Sequence, residues 1–276
     1  MSSGWQKWVI GEWSWGRLGR SALLIYGIFA LYVYFRADSM MFFPPPSSYD
    51  ATPEILKLPV NATENIAAIY LPNPKAKLTI LYSHGNAEDL GDIRSRLDRL
   101  HKLGFQVFAY DYRGYGKSDG QPSEQNAYQD TETAYRYLTE QLKVPPQTIV
   151  AYGRSIGGGS ATDLASRKPI GGLIVENTFT SAFRVVLPIP LLPFDKFTNQ
   201  DKLRQVRVPV LILHSQQDTV IPFHHGETLY ASANEPKRSL WVPDAGHNDL
   251  PEVAGARYDD AIRSFLSLSN LLSTGQ

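Results

Sequence analysis

The chain has 276 residues, 43% hydrophobic and 20% charged, which excludes a disordered or fibrous protein and leaves room for one large domain or two small ones. Its 27 basic and 27 acidic side chains balance, so no net field draws a polyanion and nucleic acid is not an expected partner. The absence of cysteine excludes disulfides, thiolate metal sites, a cysteine nucleophile and cysteine lipidation, without fixing a redox compartment.

Trp5, Trp8, Trp13 and Trp15 precede "SALLIYGIFALYVYF" (Ser21 to Phe35), an uncharged run bracketed by Arg17, Arg20 and Arg36. As a helix this run rises about 22 Å, short of a hydrocarbon core of about 30 Å, a gap that snorkelling arginines and bilayer thinning can close. No A-x-A-like cleavage site follows, which argues against a removed secretory signal. The tryptophans suit an interface, and Lys7, Arg17 and Arg20 outnumber Arg36, which places the N-terminus on the cytoplasmic side. Residues 1–36 are therefore expected to be an uncleaved single-pass anchor in the lipid bilayer, with the rest of the chain on the non-cytoplasmic side. A buried hydrophobic helix is the competing reading. "RADSMMFFPPPSSYDATP" carries four prolines and reads as a linker over residues 37–51, so the soluble domain is expected to span residues 52–276.

Strand-like runs follow at Ile66 to Leu71, Lys77 to Ser83, Phe105 to Tyr112, Thr148 to Gly153, Gly171 to Asn177, Val208 to Ser215 and Arg238 to Asp244. Several are continuously apolar, as strands covered on both faces tend to be. Helical patterns lie between them. Ile93, Leu97, Leu100 and Leu103 recur at spacings of four and three before Gly104. A helix over Ser123 to Leu142 starts at a capping serine and stops before Pro145, and the last helix spans Arg257 to Leu272. Strand, helix and strand repeated this often means an α/β protein with a mainly parallel sheet and helices on both faces.

Gly153-Arg154-Ser155-Ile156-Gly157 fits G-x-S-x-G, a sharp turn between strand and helix that lifts a serine hydroxyl from the carboxyl edge of a sheet. A random chain of this length carries the pattern about one time in ten, so its position after an apolar strand and before a helix is what gives it weight. Two nucleotide-loop readings fail. Gly116-Lys117-Ser118 has Asp111 where a phosphate-binding loop needs glycine, and "GRSIGGG" has serine where a dinucleotide fingerprint needs its second glycine. The stretch Asp111 to Gly120 reads as a structural loop tied down by Asp111 or Arg113. No cofactor is expected, and no metal either, because the histidines and carboxylates lack ligand spacing.

A serine hydroxyl needs a base to take its proton and a carboxylate to hold that base, in the chain order serine, acid, histidine on such a sheet. Asp218, just past "VLILHSQQ", and His247, in "PDAGHND", fit by position. Glu176, at the end of the preceding strand, is the alternative acid, while Asp244 stands too close to His247 in sequence. His214 reads as a core residue and His224 and His225 as surface residues opening a helix. The oxyanion donors are expected to be the backbone N–H groups of Ile156 and of Asn86 in "SHGNAEDLGD", with Ala87 as the second choice for the latter and His84 packing the turn.

With "FFPPPSS", "YSHGNAEDLGD", "DYRGYGKSDGQPSE", "YGRSIGGG", "ENTFTS", "VLILHSQQDTVIP" and "AGHND" in place, the chain resembles a membrane-anchored Bem46-like α/β-hydrolase over roughly Met40 to Leu266. That family includes animal protein depalmitoylases, and the chain is also similar to domains filed with serine aminopeptidases. The resemblance implies an eight-stranded α/β-hydrolase fold, a Ser155, Asp218 and His247 triad and a hydrophobic segment before the catalytic domain. The depalmitoylases carry a cysteine-rich lipidated N-terminus where this chain has an apolar segment without cysteine, so their substrate and membrane side do not transfer.

Lids on this fold follow the sixth strand, here the short apolar stretch Ser181 to Phe197, which reads either as a substrate wall or, over Val185 to Phe194, as core packing. The expected activity is a serine hydrolase cleaving an acyl ester or thioester of a small or lipid-like substrate through an acyl-enzyme. An aminopeptidase-like peptidase, with Glu176 holding the substrate amine, and a non-catalytic anchored interaction protein are the alternatives.

Overall fold

The computed structural model describes residues 14–273, with side chains through Phe265; Trp5, Lys7, Trp8 and Trp13, on which part of the orientation argument rests, lie outside the described residues. The chain divides into two compact units, Met1–Met41 and Phe42–Gln276.

The first unit contains α1 (Trp15–Met41), a helix of 27 residues. At about 1.5 Å per residue it is about 40 Å long, enough to cross a bilayer without thinning it. Leu23, Ile25, Ile28, Leu31 and Phe35 are exposed, which does not fit a buried core helix. By length and composition α1 can cross a membrane. It runs through Arg36–Met41, where the linker was expected to begin. The physical reason is that the first proline is Pro44, and a proline restricts only itself and the residue before it.

The second unit starts at Phe42 rather than Thr52. The backbone N–H of Phe43 donates to Asn86 Oδ1 at 2.9 Å, that of Ser48 donates to Asp89 Oδ2 at 2.7 Å, and the Tyr49 hydroxyl donates to Asp111. These long-range bonds make the expected linker a strap on the folded unit, a relation that local composition does not encode.

The sheet contains β1 (Leu56–Pro59), β2 (Asn65–Leu71), β3 (Thr79–Ser83), β4 (Gln106–Tyr110), β5 (Ile149–Arg154), β6 (Gly172–Glu176), β7 (Val210–Ser215) and β8 (Lys237–Val242). Their order is β1-β2-β4-β3-β5-β6-β7-β8, antiparallel at β1-β2 and β2-β4 and parallel at every other pair. Seven strands match the apolar runs in the sequence. β1 does not, because four residues are too few to display a period. Every residue of β3, β5, β6 and β7 is buried, the burial that their continuous apolar character requires.

The helices of this unit are α2 (Arg94–Lys102), α3 (Glu124–Arg136), α4 (Gly157–Arg167), α5 (Asn199–Leu203), α6 (His224–Ser232), α7 (Leu250–Ala254) and α8 (Ala256–Ser273). α2 and α8 cover one face, where Leu97, Leu100, Ile262 and Phe265 join Ile80, Tyr82, Tyr152 and Leu213 in one core cluster. α3, α4 and α6 contact the strands outside that cluster. The α3 N-terminus is capped as its sequence predicts, with Ser123 Oγ accepting the Asn126 N–H at 3.1 Å. After β6 the chain enters the short segment Ser181 to Phe197, which buries Phe183, Leu192 and Phe197 but leaves Val186, Ile189 and Leu191 exposed. Core packing therefore accounts for only part of it.

Parallel strands end on the same edge, so the residues that follow β3, β5, β6, β7 and β8 gather there whatever their separation in sequence. Those residues include His84, Ser155, Asn177, Asp218 and His247.

Candidate active site

Ser155 is the first residue past β5 and has φ +53°, a region that side chains with a Cβ seldom occupy. Hydrogen bonds hold it there. Its N–H donates to the Glu176 carbonyl at 2.9 Å, and its own carbonyl accepts from Thr178 Oγ1 at 2.7 Å and Gly158 N–H at 3.0 Å. The flanking glycines make this turn sterically possible. A Cβ on Gly153 would lie 2.2 Å from the Gly157 carbonyl oxygen, and one on Gly157 would lie 2.1 Å from the Ser83 carbonyl oxygen. Backbone atoms cannot move aside as a flexible side chain can, so the x-Ser-x turn and the start of α4 both require glycine.

Ser155 Oγ lies 3.1 Å from His247 Nε2, and His247 Nδ1 lies 2.7 Å from Asp218 Oδ2. A carboxylate only accepts, so Nδ1 carries the proton and the Nε2 lone pair faces the serine hydroxyl. The second carboxylate oxygen of Asp218 accepts from the N–H groups of Val220 at 2.8 Å and Ile221 at 2.7 Å. Burial pushes the Asp218 carboxyl up, but the hydrogen bonds from His247 and the backbone outweigh it and hold the group below its ordinary range. Behind it, the buried His214 donates from Nε2 to the Ile221 carbonyl at 3.0 Å, and burial lowers its basicity.

The rival residues lie elsewhere. Glu176 is fully buried and engaged by Arg96 at 3.1 Å, by Arg154 at 3.6 Å and by the Tyr152 hydroxyl, so it does not face His247. Asp244 is exposed. His224 is exposed as expected, but His225 is buried, with Nδ1 accepting the Thr180 N–H at 3.2 Å; burial pushes it down to about 4. The reading of His225 as a surface residue is thus corrected. A helix start specifies one turn, and the second residue of that turn faces inward.

At the expected oxyanion positions, the Ile156 N–H donates to no acceptor among the described residues. The Asn86 side chain is fixed, its Oδ1 accepting from the Tyr115 hydroxyl at 2.6 Å and from Phe43 N–H. Ala87 has φ +54°, which turns the chain sharply after Asn86. His84 is buried beside Tyr112 and Asp111, with Nδ1 2.7 Å from the Gly85 carbonyl, as a residue packing the turn would be. Both Asp111 and Arg113 tie down the loop that follows β4. Asp111 accepts the Leu90 N–H at 2.9 Å, and Arg113 pairs with the buried Asp130 at 2.8 Å.

Sequence reasoning passed over three residues that hold this edge together. Asn177, with φ +45°, donates to the His247 carbonyl at 2.9 Å and to Ser215 Oγ at 3.1 Å. Arg154 and Glu88 form an ion pair at 2.8 Å beneath the same loops. An arginine inside an apolar strand, next to the serine, was the available signal.

Comparison with known proteins agrees with this architecture. The family described as serine aminopeptidase, S33, matches residues 74–192. The chain is 40% identical over 198 residues to "Alpha/beta hydrolase domain-containing protein 17B" of Homo sapiens, covering 71% of this chain and 68% of that protein. It is 40% identical over 203 residues to "Alpha/beta hydrolase domain-containing protein aho-3" of Caenorhabditis elegans, covering 71% of this chain and 60% of that one. Among solved structures, the Pyrococcus furiosus esterase Pf2001 superposes with a TM-score of 0.68 at 18% identity over 82% of this chain and 97% of its own. Est1E of Butyrivibrio proteoclasticus, solved with ferulic acid bound, gives a TM-score of 0.64 at 17% identity over 77% and 99%. At those identities the two esterases speak for the fold alone. The extent and identity of the match to the domain-containing 17 proteins decide the relationship: the chain belongs to the Bem46-like family of α/β-hydrolases and is a hydrolase.

Proposed function

We propose that the protein is a serine hydrolase that cleaves acyl esters or thioesters through an acyl-enzyme on Ser155. The observation that carries this reading is the continuous hydrogen-bonded chain from Asp218 through His247 to a serine held at positive φ. In the proposed reaction Ser155 Oγ attacks the substrate carbonyl carbon while its proton passes to His247 Nε2. Asp218 keeps His247 in the Nδ1–H tautomer and stabilises the imidazolium. The N–H groups of Ile156 and Asn86 take the negative charge of the tetrahedral oxygen. Collapse breaks the bond to the leaving oxygen or sulfur, which receives the proton from His247. Water, deprotonated by His247, then attacks the acyl carbon, and the carboxylic acid leaves as Ser155 regains its proton.

The exposed Val186, Ile189 and Leu191 of the segment after β6 favour an acyl group with an apolar chain. Against the peptidase reading, Glu176 is fully buried and its charge is already paired with Arg96 and Arg154, so a substrate amine has no open approach to it. A series of p-nitrophenyl esters of rising chain length, compared with aminoacyl p-nitroanilides, separates the two. We expect kcat/KM to rise with chain length and the anilides to be poor substrates; the reverse ranking would establish the peptidase instead.

The proposed anchor is α1, with the catalytic unit on the non-cytoplasmic side. The absence of cysteine makes this directly measurable. A single Lys102→Cys substitution on the exposed side of α2 is expected to react with a membrane-impermeant maleimide in intact cells, and labelling only after lysis would reverse the orientation.

A further inference from the structure

Arg154 occupies the position immediately before Ser155, yet it is an arginine at the end of a strand whose every residue is buried. Its guanidinium meets two loops that reach the site from different strands. Nη1 donates to Glu88 Oε2 at 2.8 Å, and Nη2 donates to the His247 carbonyl at 3.3 Å and to Asn248 Oδ1. Glu88 extends the bridge, because its other oxygen accepts the N–H of Gly85, the neighbour of Asn86, at 2.5 Å. Arg96 braces the far side, pairing with Glu176 at 3.1 Å and donating to the Asn248 carbonyl. Two arginines thus face two glutamates. Burial pushes the Glu88 carboxyl up, but the Arg154 charge, together with His84, the Gly85 N–H and Arg96, outweighs this and holds it below its ordinary range.

A buried ion pair adds little net stability compared with apolar side chains of the same volume, because desolvation cancels most of its attraction. What a planar, forked guanidinium does supply is a fixed geometry between the groups it binds. Here those groups are the base loop and the loop of the second oxyanion donor, and the fork is built on the residue adjoining the nucleophile. We propose that Arg154, with Glu88, is a positioning pair that sets the distance of His247 and of the Asn86 N–H from Ser155. This rests on the reading of Ser155 as nucleophile and extends it. A shift of about 1 Å at such a centre can cost about 100-fold in rate, so the effect is expected in kcat and not in substrate binding.

The test uses the full-length protein in detergent, with p-nitrophenyl butyrate as substrate and a fluorophosphonate to count active sites. Labelling of the wild type and not of Ser155→Ala establishes the nucleophile first, and its failure would sink the function reading independently of Arg154. For Arg154→Met we expect kcat per labelled site to fall about 100-fold with KM within about twofold, the phosphonylation rate falling in parallel. Arg154→Lys, which keeps the charge but cannot bridge both loops, is expected to recover only part of the loss. Should Arg154→Met not fold, Glu88→Gln and Asn248→Ala report on the two ends of the bridge. Each is expected to lower kcat about tenfold, and the double variant to lose far less than the product of the two, since both changes loosen the same bridge. A folded Arg154→Lys with wild-type kcat, or strictly multiplicative losses from the two ends, would overturn the proposal.

Discussion

Ser155→Ala is expected to reduce ester turnover about 10⁶-fold, the loss that accompanies removal of the nucleophile from a catalytic unit whose members act together. Covalent labelling by a fluorophosphonate should disappear with it. The substitution removes one oxygen from a residue that is already 8% exposed, and its backbone bonds to Glu176, Thr178 and Gly158 do not involve that oxygen. Thermal unfolding should therefore change little, and the activity loss can be assigned to chemistry. Labelling that persisted in the alanine variant would place the reactive serine elsewhere.

Asp218→Asn is expected to lower kcat about 10⁴-fold while leaving the fold intact. An asparagine carbonyl can still accept the N–H groups of Val220 and Ile221, which preserves the turn after β7. Its amide, however, presents a donor to His247 Nδ1, which forces the proton onto Nε2 and turns the base into a donor facing Ser155. The companion Glu176→Gln variant separates the two candidate acids, since only the carboxylate that orients His247 produces the tautomer defect. A 10⁴-fold loss in Glu176→Gln together with a mild effect in Asp218→Asn would reverse the assignment. The same aspartate carries a stability signature. Its folded pKa lies below the unfolded carboxylate value of about 3.9, so the interaction contributes fully above that value and is lost as pH falls through the folded one. Acid unfolding of Asp218→Asn should accordingly begin from a lower stability at neutral pH and show a shallower dependence on pH.

Much of the architecture is legible in the sequence. Leu97 and Leu100 face the core because a helix repeats every 3.6 residues, and β3, β5, β6 and β7 declared themselves as unbroken apolar runs because both faces are covered. The order Ser155, Asp218, His247 was readable because each residue follows a recognisable strand, and parallel strands send their successors to one edge. β1 was missed because it is too short to show a period. The strap from Phe42 to Tyr49 was taken for a linker because three prolines announce the absence of a helix but say nothing of where the chain docks. His225 was misplaced for a related reason: position at the start of a helix does not say which side of that helix meets Thr180.

The amino-acid sequence by itself determined the class of fold, the presence of a long apolar N-terminal segment and the set of residues from which a hydrolytic centre could be assembled. These properties follow from local periodicity and from the stereochemistry of glycine beside Ser155. Tertiary structure alone decided which carboxylate stands against His247, and that Glu176 is instead neutralised by Arg96 and Arg154. It also decided that Arg154 and Glu88 span the two loops beside Ser155. Such choices depend on distances between residues far apart in the chain, which strand order and side-chain reach set together and no local pattern records.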